Sequence, residues 1–292
     1  MSIQSRIKVA VAQTDCVLGD LAHNLEFHLK FIDEARVQGV KLLLFPELSL
    51  TGYRLEDSVV EMAMSRDDPL VLQIAEASQG IDVIFGFVEE GLAAQLYNSM
   101  AAVRDGKVVF VHRKLNLPSY GNLDEGKLFA GGRYVETLPI EGPWNAGVLT
   151  CADLWNPALV HLAMLHGATI LIAPVNSALG AVGGDFSNPE GWDLAIRFYS
   201  MMYGLPVMFA NRLGHEGDAF FWGGSRILDP YGKALAQASD DWVGLVTAEL
   251  DFADVRRARF LLPTVRDSNL SLVQREIDRL AQRIGMPPTT QR

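Results

Sequence analysis

Residues 145–174 read Asn-Ala-Gly-Val-Leu-Thr-Cys-Ala-Asp-Leu-Trp-Asn-Pro-Ala-Leu-Val-His-Leu-Ala-Met-Leu-His-Gly-Ala-Thr-Ile-Leu-Ile-Ala-Pro. The apolar start predicts a strand over 145–151 that ends on Cys151. Asn156 suits a helix N-cap and Pro157 a first helical position, so a helix is expected over 157–166. The run at 168–174 then predicts a buried strand. Strand, helix and strand in one segment point to sheets covered by helices, an α/β fold.

The same rhythm runs outward. Towards the N-terminus the expected strands are 7–13, 41–45 and 81–89, and the expected helices 21–38 and 70–78. Leu25, Leu29 and Ile32 give the first helix its apolar face, and Gly39 ends it. Segments 96–103 and 107–113, joined by Arg-Asp-Gly, predict a hairpin, which makes the sheets mixed. Towards the C-terminus a helix is expected over 190–203, strands over 206–212, 223–229 and 243–249, and a last helix over 270–284 before a polar tail. No low-complexity linker divides the chain. One domain is expected over 1–292, with a core at about 5–268 and the helix and tail at 269–292. The Gly-rich segment 177–189 has two readings, a loop over a site and a plain surface connection.

The 292 residues carry a formal net charge of −10. Such a chain lacks the basic surface that nucleic acids and anionic membranes require, so neither is an expected partner. No apolar run approaches the roughly 18 residues of a membrane span, and the N-terminus turns polar too soon for a signal peptide. Two cysteines make neither a disulfide framework nor a zinc site, and the reducing cytoplasm is the expected location. The histidines, at 23, 28, 112, 161, 166 and 215, show no close ligand spacing, so neither metal nor cofactor is expected.

Cys151 leaves a strand just ahead of a helix, where turning backbone N–H groups can form an oxyanion hole. A lone cysteine is more often a buried structural thiol, so this placement alone does not decide its role. Cys16 has no comparable setting and reads as an ordinary half-buried thiol. Glu47 follows the apolar run Leu-Leu-Leu-Phe-Pro; it reads either as a surface glutamate before a turn or as a carboxylate whose desolvation raises its pKa towards that of a useful base. Lys114 ends a strand, sharing a face with His112. It reads either as a lysine reaching solvent or as a fixed cation for an oxyanion. Glu125, eleven residues on, reads as a second carboxylate for proton work or as part of a charged loop.

Taken jointly, segments 45–53, 112–129 and 151–157 resemble the nitrilase superfamily of carbon–nitrogen hydrolases. Segments 221–232 and 259–267 extend the resemblance along nearly the whole chain. It implies a four-layer α-β-β-α sandwich, a homodimer or higher homo-oligomer, and a catalytic set of Glu47, Lys114 and Cys151 with Glu125 as the additional glutamate. The stretch 117–125 looks most like the glutaminase domain of glutamine-dependent NAD synthetases and allied bacterial amidases. Ala152 departs from that branch, where many relatives carry glutamate, but keeps the backbone N–H. Tyr53, Tyr120, Ala152, Asn176 and Trp222 flank the matched motifs and are the candidate substrate contacts.

The expected activity is hydrolysis of an aliphatic or ω-amide through a Cys151 thioester, releasing ammonia. Alternatives are N-carbamoyl amino acid amidohydrolase, nitrilase, and a stand-alone glutaminase feeding a partner synthetase. Two rivals lie further off: a Cys–His hydrolase using His112 or His215, and a non-catalytic scaffold.

Overall fold

A computed structural model describes residues 5–239 and 241–285. In chain order, the first sheet takes β1 (Arg6–Gln13), β2 (Leu42–Leu44), β3 (Asp82–Glu90), β4 (Leu96–Arg104) and β5 (Lys107–Arg113). The second takes β6 (Thr137–Pro139), β7 (Asn145–Val148), β8 (Ile170–Val175) and β9 (Val207–Asn211). The pair β10 (Leu213–Glu216) and β11 (Ala219–Trp222) stands apart as a hairpin. Then β12 (Arg226–Leu228) and β13 (Ala234–Gln237) complete the second sheet, and β14 (Gly244–Asp251) returns to the first. The sheet orders are β14-β1-β2-β3-β4-β5 and β13-β12-β9-β8-β7-β6. Both are mixed: β1, β2 and β3 run parallel, as do β7, β8 and β9, with antiparallel strands outside them.

The described residues also form seven α-helices: α1 (Leu21–Val37), α2 (Pro69–Ala77), α3 (Glu125–Leu128), α4 (Pro157–Leu165), α5 (Asn188–Tyr203), α6 (Phe252–Leu261) and α7 (Leu270–Arg283). Side-chain alternation along the strands builds the layers. Val9 and Val11 of β1 meet Ile170 and Ile172 of β8 in a core between the two sheets. Their neighbours Ala10 and Ala12 face Phe31 and Ile32 of α1 and Ile74 of α2. On the far side, Leu171 and Ala173 of β8 pack on Val160 of α4 and Trp192 and Ile196 of α5. The result is the expected α-β-β-α order. Each of the buried Val, Ile, Leu and Phe side chains contributes about 1.5–3 kcal/mol of transfer free energy.

Four readings need correction. The strand expected over 145–151 stops at Val148, and Cys151 instead opens a 3-10 turn, Cys151–Trp155. The cause is Asp153, whose carboxylate accepts the Thr150 N–H at 3.1 Å and pulls the chain out of the sheet. Between the strands expected at 206–212 and 223–229 lies the β10–β11 hairpin, whose Leu-Gly-His-Glu first strand carries no apolar alternation to reveal it. The charged helix α6 was also unforeseen, although Asp251 caps it by accepting from Ala253 N–H. Cys16 is buried rather than half-buried. The last helix spans Leu270–Arg283, and the tail beyond 285 lies outside the described residues.

Candidate active site

Four chain segments leave their strands at one place: Glu47 after β2, Lys114 after β5, Cys151 after β7 and Asn176 after β8. The turn at Glu47 is tight, since Leu48 sits at φ +45°. Gly86 on β3 makes room for it: a Cβ there would stand 2.1 Å from Leu48 N and 2.8 Å from the Glu47 carbonyl carbon. Cys151 is itself at φ +46°, a left-handed conformation that non-glycine residues hold only when their surroundings demand it.

Lys114 is fully buried and donates to Glu47 Oε1 and Glu125 Oε1, each at 2.6 Å. Asn98 on β4 binds the same two carboxylates, at 2.8 Å to Glu47 Oε1 and 3.3 Å to Glu125 Oε2. Tyr53 Oη donates to Glu125 Oε1 at 2.6 Å. Asn176 holds the other side of Glu47: its main-chain N–H donates to Oε2 at 2.8 Å and its Nδ2 to the Glu47 carbonyl at 2.7 Å. The cluster therefore buries one cation with two carboxylates.

That imbalance sets the protonation of the site. Burial, then Glu47 and Glu125, push the Cys151 thiol well above its ordinary range, while Lys114 and the Asn176 N–H pull less strongly the other way. Glu125 is pushed up by burial and by Glu47, against the pull of Lys114. Burial disfavours the Lys114 charge, yet Glu125 and Glu47 outweigh it and hold the ammonium well above its usual range. The resting cysteine is thus a thiol, and attack by its sulfur needs a base in the same cluster.

Asp153, missed at the level of sequence, braces the two halves of the site. Besides Thr150, it accepts the Leu115 and Asn116 N–H groups at 3.0 and 2.7 Å, and its Oδ2 meets His112 Nε2 at 2.9 Å. His112 is thereby engaged with Asp153, and neither it nor His215 lines the chamber at Cys151. Among the described residues no group of His, Cys, Asp and Glu is arranged to hold a metal ion, and no helix is long and apolar enough to cross a membrane.

The chamber at Cys151 measures only about 20 Å³, room for about one water-sized group. Tyr53, Tyr120, Ala152 and Asn176 line it, together with Trp155 and Asn188. Tyr120 is half-exposed at its rim. Trp222 is not brought there: it stacks on Phe209 at 6.0 Å inside the core behind the second sheet. It ends β11, and the strand register turns its ring inward. The segment 177–189 does reach the site, since Ser177, Ala181 and Val182 line the chamber. Asn188 was not foreseen either. Its Oδ1, like that of Asn176, is buried with no hydrogen-bond partner.

The Carbon-nitrogen hydrolase family model matches residues 8–260, and the chain belongs to that family, the nitrilase superfamily of enzymes acting on C–N bonds. It is 30% identical over 265 residues to the glutamine-dependent NAD(+) synthetase of Thermotoga maritima, an alignment covering 89% of this chain and 45% of the synthetase. It is 26% identical over 266 residues to a probable nitrilase of Schizosaccharomyces pombe, covering 87% of this chain and 92% of that protein. The carbon-nitrogen hydrolase of Helicobacter pylori G27 shares the fold, with a TM-score of 0.78 at 23% identity over 91% of this chain and 96% of that one. The chain spans about half the length of the NAD synthetases it matches.

Proposed function

We propose that the protein hydrolyses an aliphatic or ω-amide through a thioester on Cys151 and releases ammonia. The observation that carries this reading is the buried set of Glu47, Lys114 and Glu125 around a thiol that needs a base. Glu47 takes the Cys151 proton as sulfur bonds to the amide carbon. The oxyanion so formed is held by Lys114 and the Ala152 N–H, a kind of contact worth about a hundred- to a thousandfold in rate. Glu47 passes the proton to nitrogen, the C–N bond breaks, and ammonia leaves a thioester. Water then gives a proton to Glu47 and attacks the thioester with Glu125 helping to position it, and sulfur departs with that proton to leave the acid.

The two unpartnered acceptors at the chamber, Asn176 Oδ1 and Asn188 Oδ1, favour an amide over a nitrile. A carboxamide NH₂ supplies donors for them, whereas a nitrile has none, and a buried acceptor left unmade costs about 1–3 kcal/mol. An N-carbamoyl amino acid offers the same NH₂ and stays an alternative. The synthetase relatives favour a second reading, a glutaminase that feeds ammonia to a partner synthetase; its activity would rise when that partner is added.

We read the described core as one catalytic domain acting in the reducing cytoplasm as a homodimer or higher oligomer. Support for assembly comes from apolar side chains left exposed on α5, at Leu194, Phe198 and Met201. Sedimentation measures that state. An ammonia-release screen over amides, N-carbamoyl amino acids and nitriles, with mass spectrometry of Cys151, tests the reaction. Release without an acyl adduct on Cys151 in quenched samples, or none from any compound, overturns the proposal.

A further inference from the structure

At β5, the edge strand of the first sheet, a recess of about 320 Å³ opens between that strand and segment 133–136. That is a volume typical of small-molecule sites. Its walls carry three arginines, Arg66, Arg113 and Arg133, and Glu136 is the only carboxylate among the described residues that line it. No residue lines both this recess and the chamber at Cys151.

Two of the arginines are held in place by one buried carboxylate. Glu89 Oε1 accepts from Arg66 Nε at 2.8 Å and from Arg113 Nη2 at 2.9 Å. Its Oε2 accepts from Arg113 Nε at 2.8 Å and from Ser99 Oγ at 2.7 Å. Burial disfavours the Glu89 charge, yet Arg113, Ser99 and Arg66 outweigh it and hold the carboxyl below its ordinary range. One full negative charge therefore faces two positive ones. Tyr97 fixes the plane of Arg113, whose guanidinium lies 3.7 Å from the ring centre. Because Glu89 engages one edge of each guanidinium, both terminal amino groups of Arg66 and Nη1 of Arg113 stay unbonded among the described residues.

Arg133 joins them through the backbone. Gly132 N–H donates to the Lys114 carbonyl at 2.8 Å, and a Cβ on Gly132 would stand 2.1 Å from the Arg113 carbonyl oxygen. Glycine thus lets the segment lie against the end of β5 and carry Arg133 to the recess. Arg133 is exposed and makes no ion pair among the described residues.

Three guanidiniums meet two carboxylates, Glu89 and Glu136, so one positive charge is left over in a partly enclosed space. A guanidinium fork matches the oxygens of a phosphoryl group, which presents three of them where a carboxylate presents two. We infer that the recess binds a phosphoryl group, held by Arg66, Arg113 and Arg133. Its volume admits inorganic phosphate or a small phosphomonoester. The site stands apart from the amide chemistry at Cys151 and does not depend on it.

The test is titration calorimetry of the full chain with inorganic phosphate and with glycerol 3-phosphate, at an ionic strength held constant with sodium chloride. Saturable binding at one site is expected, with acetate bound about tenfold more weakly, the lower range for a charged hydrogen bond. Tighter glycerol 3-phosphate assigns the site to a phosphomonoester, and tighter inorganic phosphate to the free ion. Arg133→Gln should weaken binding about tenfold on the same ground, without changing urea unfolding. Glu136→Gln should tighten it several-fold, a gain that a damaged fold does not produce. Protein alkylated on Cys151 with iodoacetamide should bind as before. The proposal is overturned by no saturable binding, by acetate bound as tightly as phosphate, or by binding lost on Cys151 alkylation. An affinity unmoved by Arg133→Gln or not raised by Glu136→Gln overturns it equally.

Discussion

Each of the two cysteines lies beside a buried ion cluster, and the clusters differ in one respect. Next to Cys16, the buried Arg212 pairs with the buried Glu216, donates to the Cys16 carbonyl at 2.8 Å, and lies 4.5 Å from the centre of the Phe221 ring. One buried cation meets one buried anion, with the half-exposed Asp15 at its edge. Next to Cys151, one buried cation meets two buried carboxylates. A balanced pair has no reason to move a proton. An unbalanced one does, because an excess charge in a low dielectric is relieved by binding a proton. The same chemical ingredients therefore hold the β10–β11 hairpin in one place and make an acid–base centre in the other.

Glu47→Gln should have the largest effect, lowering turnover by about 10²–10⁴-fold, the range for losing a general base. Iodoacetamide labelling of Cys151 should slow in parallel. Histidine substitutions at 112 or 215 should leave substantial activity, and the opposite pattern would transfer the chemistry to a Cys–His pair. Arg212→Met tests the balanced cluster. It leaves Glu216 buried without its partner and should cost about 3–5 kcal/mol in urea unfolding, while Cys151 in the folded fraction still labels. Loss of labelling at unchanged stability would erase the distinction between the clusters. Gly86→Ala forces the Leu48 and Glu47 backbone to move; it should lower kcat by about a hundredfold, as small misplacements of reacting groups do, and cost about 1–3 kcal/mol in urea unfolding through overpacking.

The smallest effect is a pH slope. Burial pushes the Cys16 thiol from an ordinary 9.0 up to about 12. Below pH 9 both folded and unfolded chains hold this proton. Above it the unfolded chain releases the proton while the fold keeps it, so stability falls as pH rises, by about 1.4 kcal/mol per unit up to about 12. Cys16→Ala should flatten part of that slope in unfolding curves taken at alkaline pH. An unchanged slope would mean that Cys16 is not the buried thiol responsible.

Much of the scaffold was legible in the residue pattern. The β-branched runs and helical spacings placed nearly every strand of the inter-sheet core, because periodicity is a local property that the chain displays directly. The elements that went unread, among them the short outer strands β6 and β13, are those whose periodicity is weak or brief. The hairpin Leu213–Trp222 contains His, Glu and Gly where a strand would show apolar alternation, and it is held by pairing across itself and by Arg212. Helix α6 is rich in charge along most of its length, and its few buried side chains, such as Val255, give little signal.

For the site the division is sharper. Sequence alone placed Glu47, Lys114 and Cys151 at the ends of strands, in the order the superfamily carries them, and it pointed to Glu125 and Tyr53 nearby. It could not determine that Asn98 binds two carboxylates, that Asp153 ties the Lys114 strand to the Cys151 turn, or that Trp222 points into the core. Nor could it reveal that Glu216 anchors Tyr53 from 163 residues away. Those facts depend on contacts between segments that only the packed sheets bring together. Charge balance is decided the same way, since Lys114 becomes a buried cation between two carboxylates only when the ends of β2 and β5 and the start of α3 converge. Residue identity supplied the acids, the base and the thiol; tertiary structure decided which of them must share a proton.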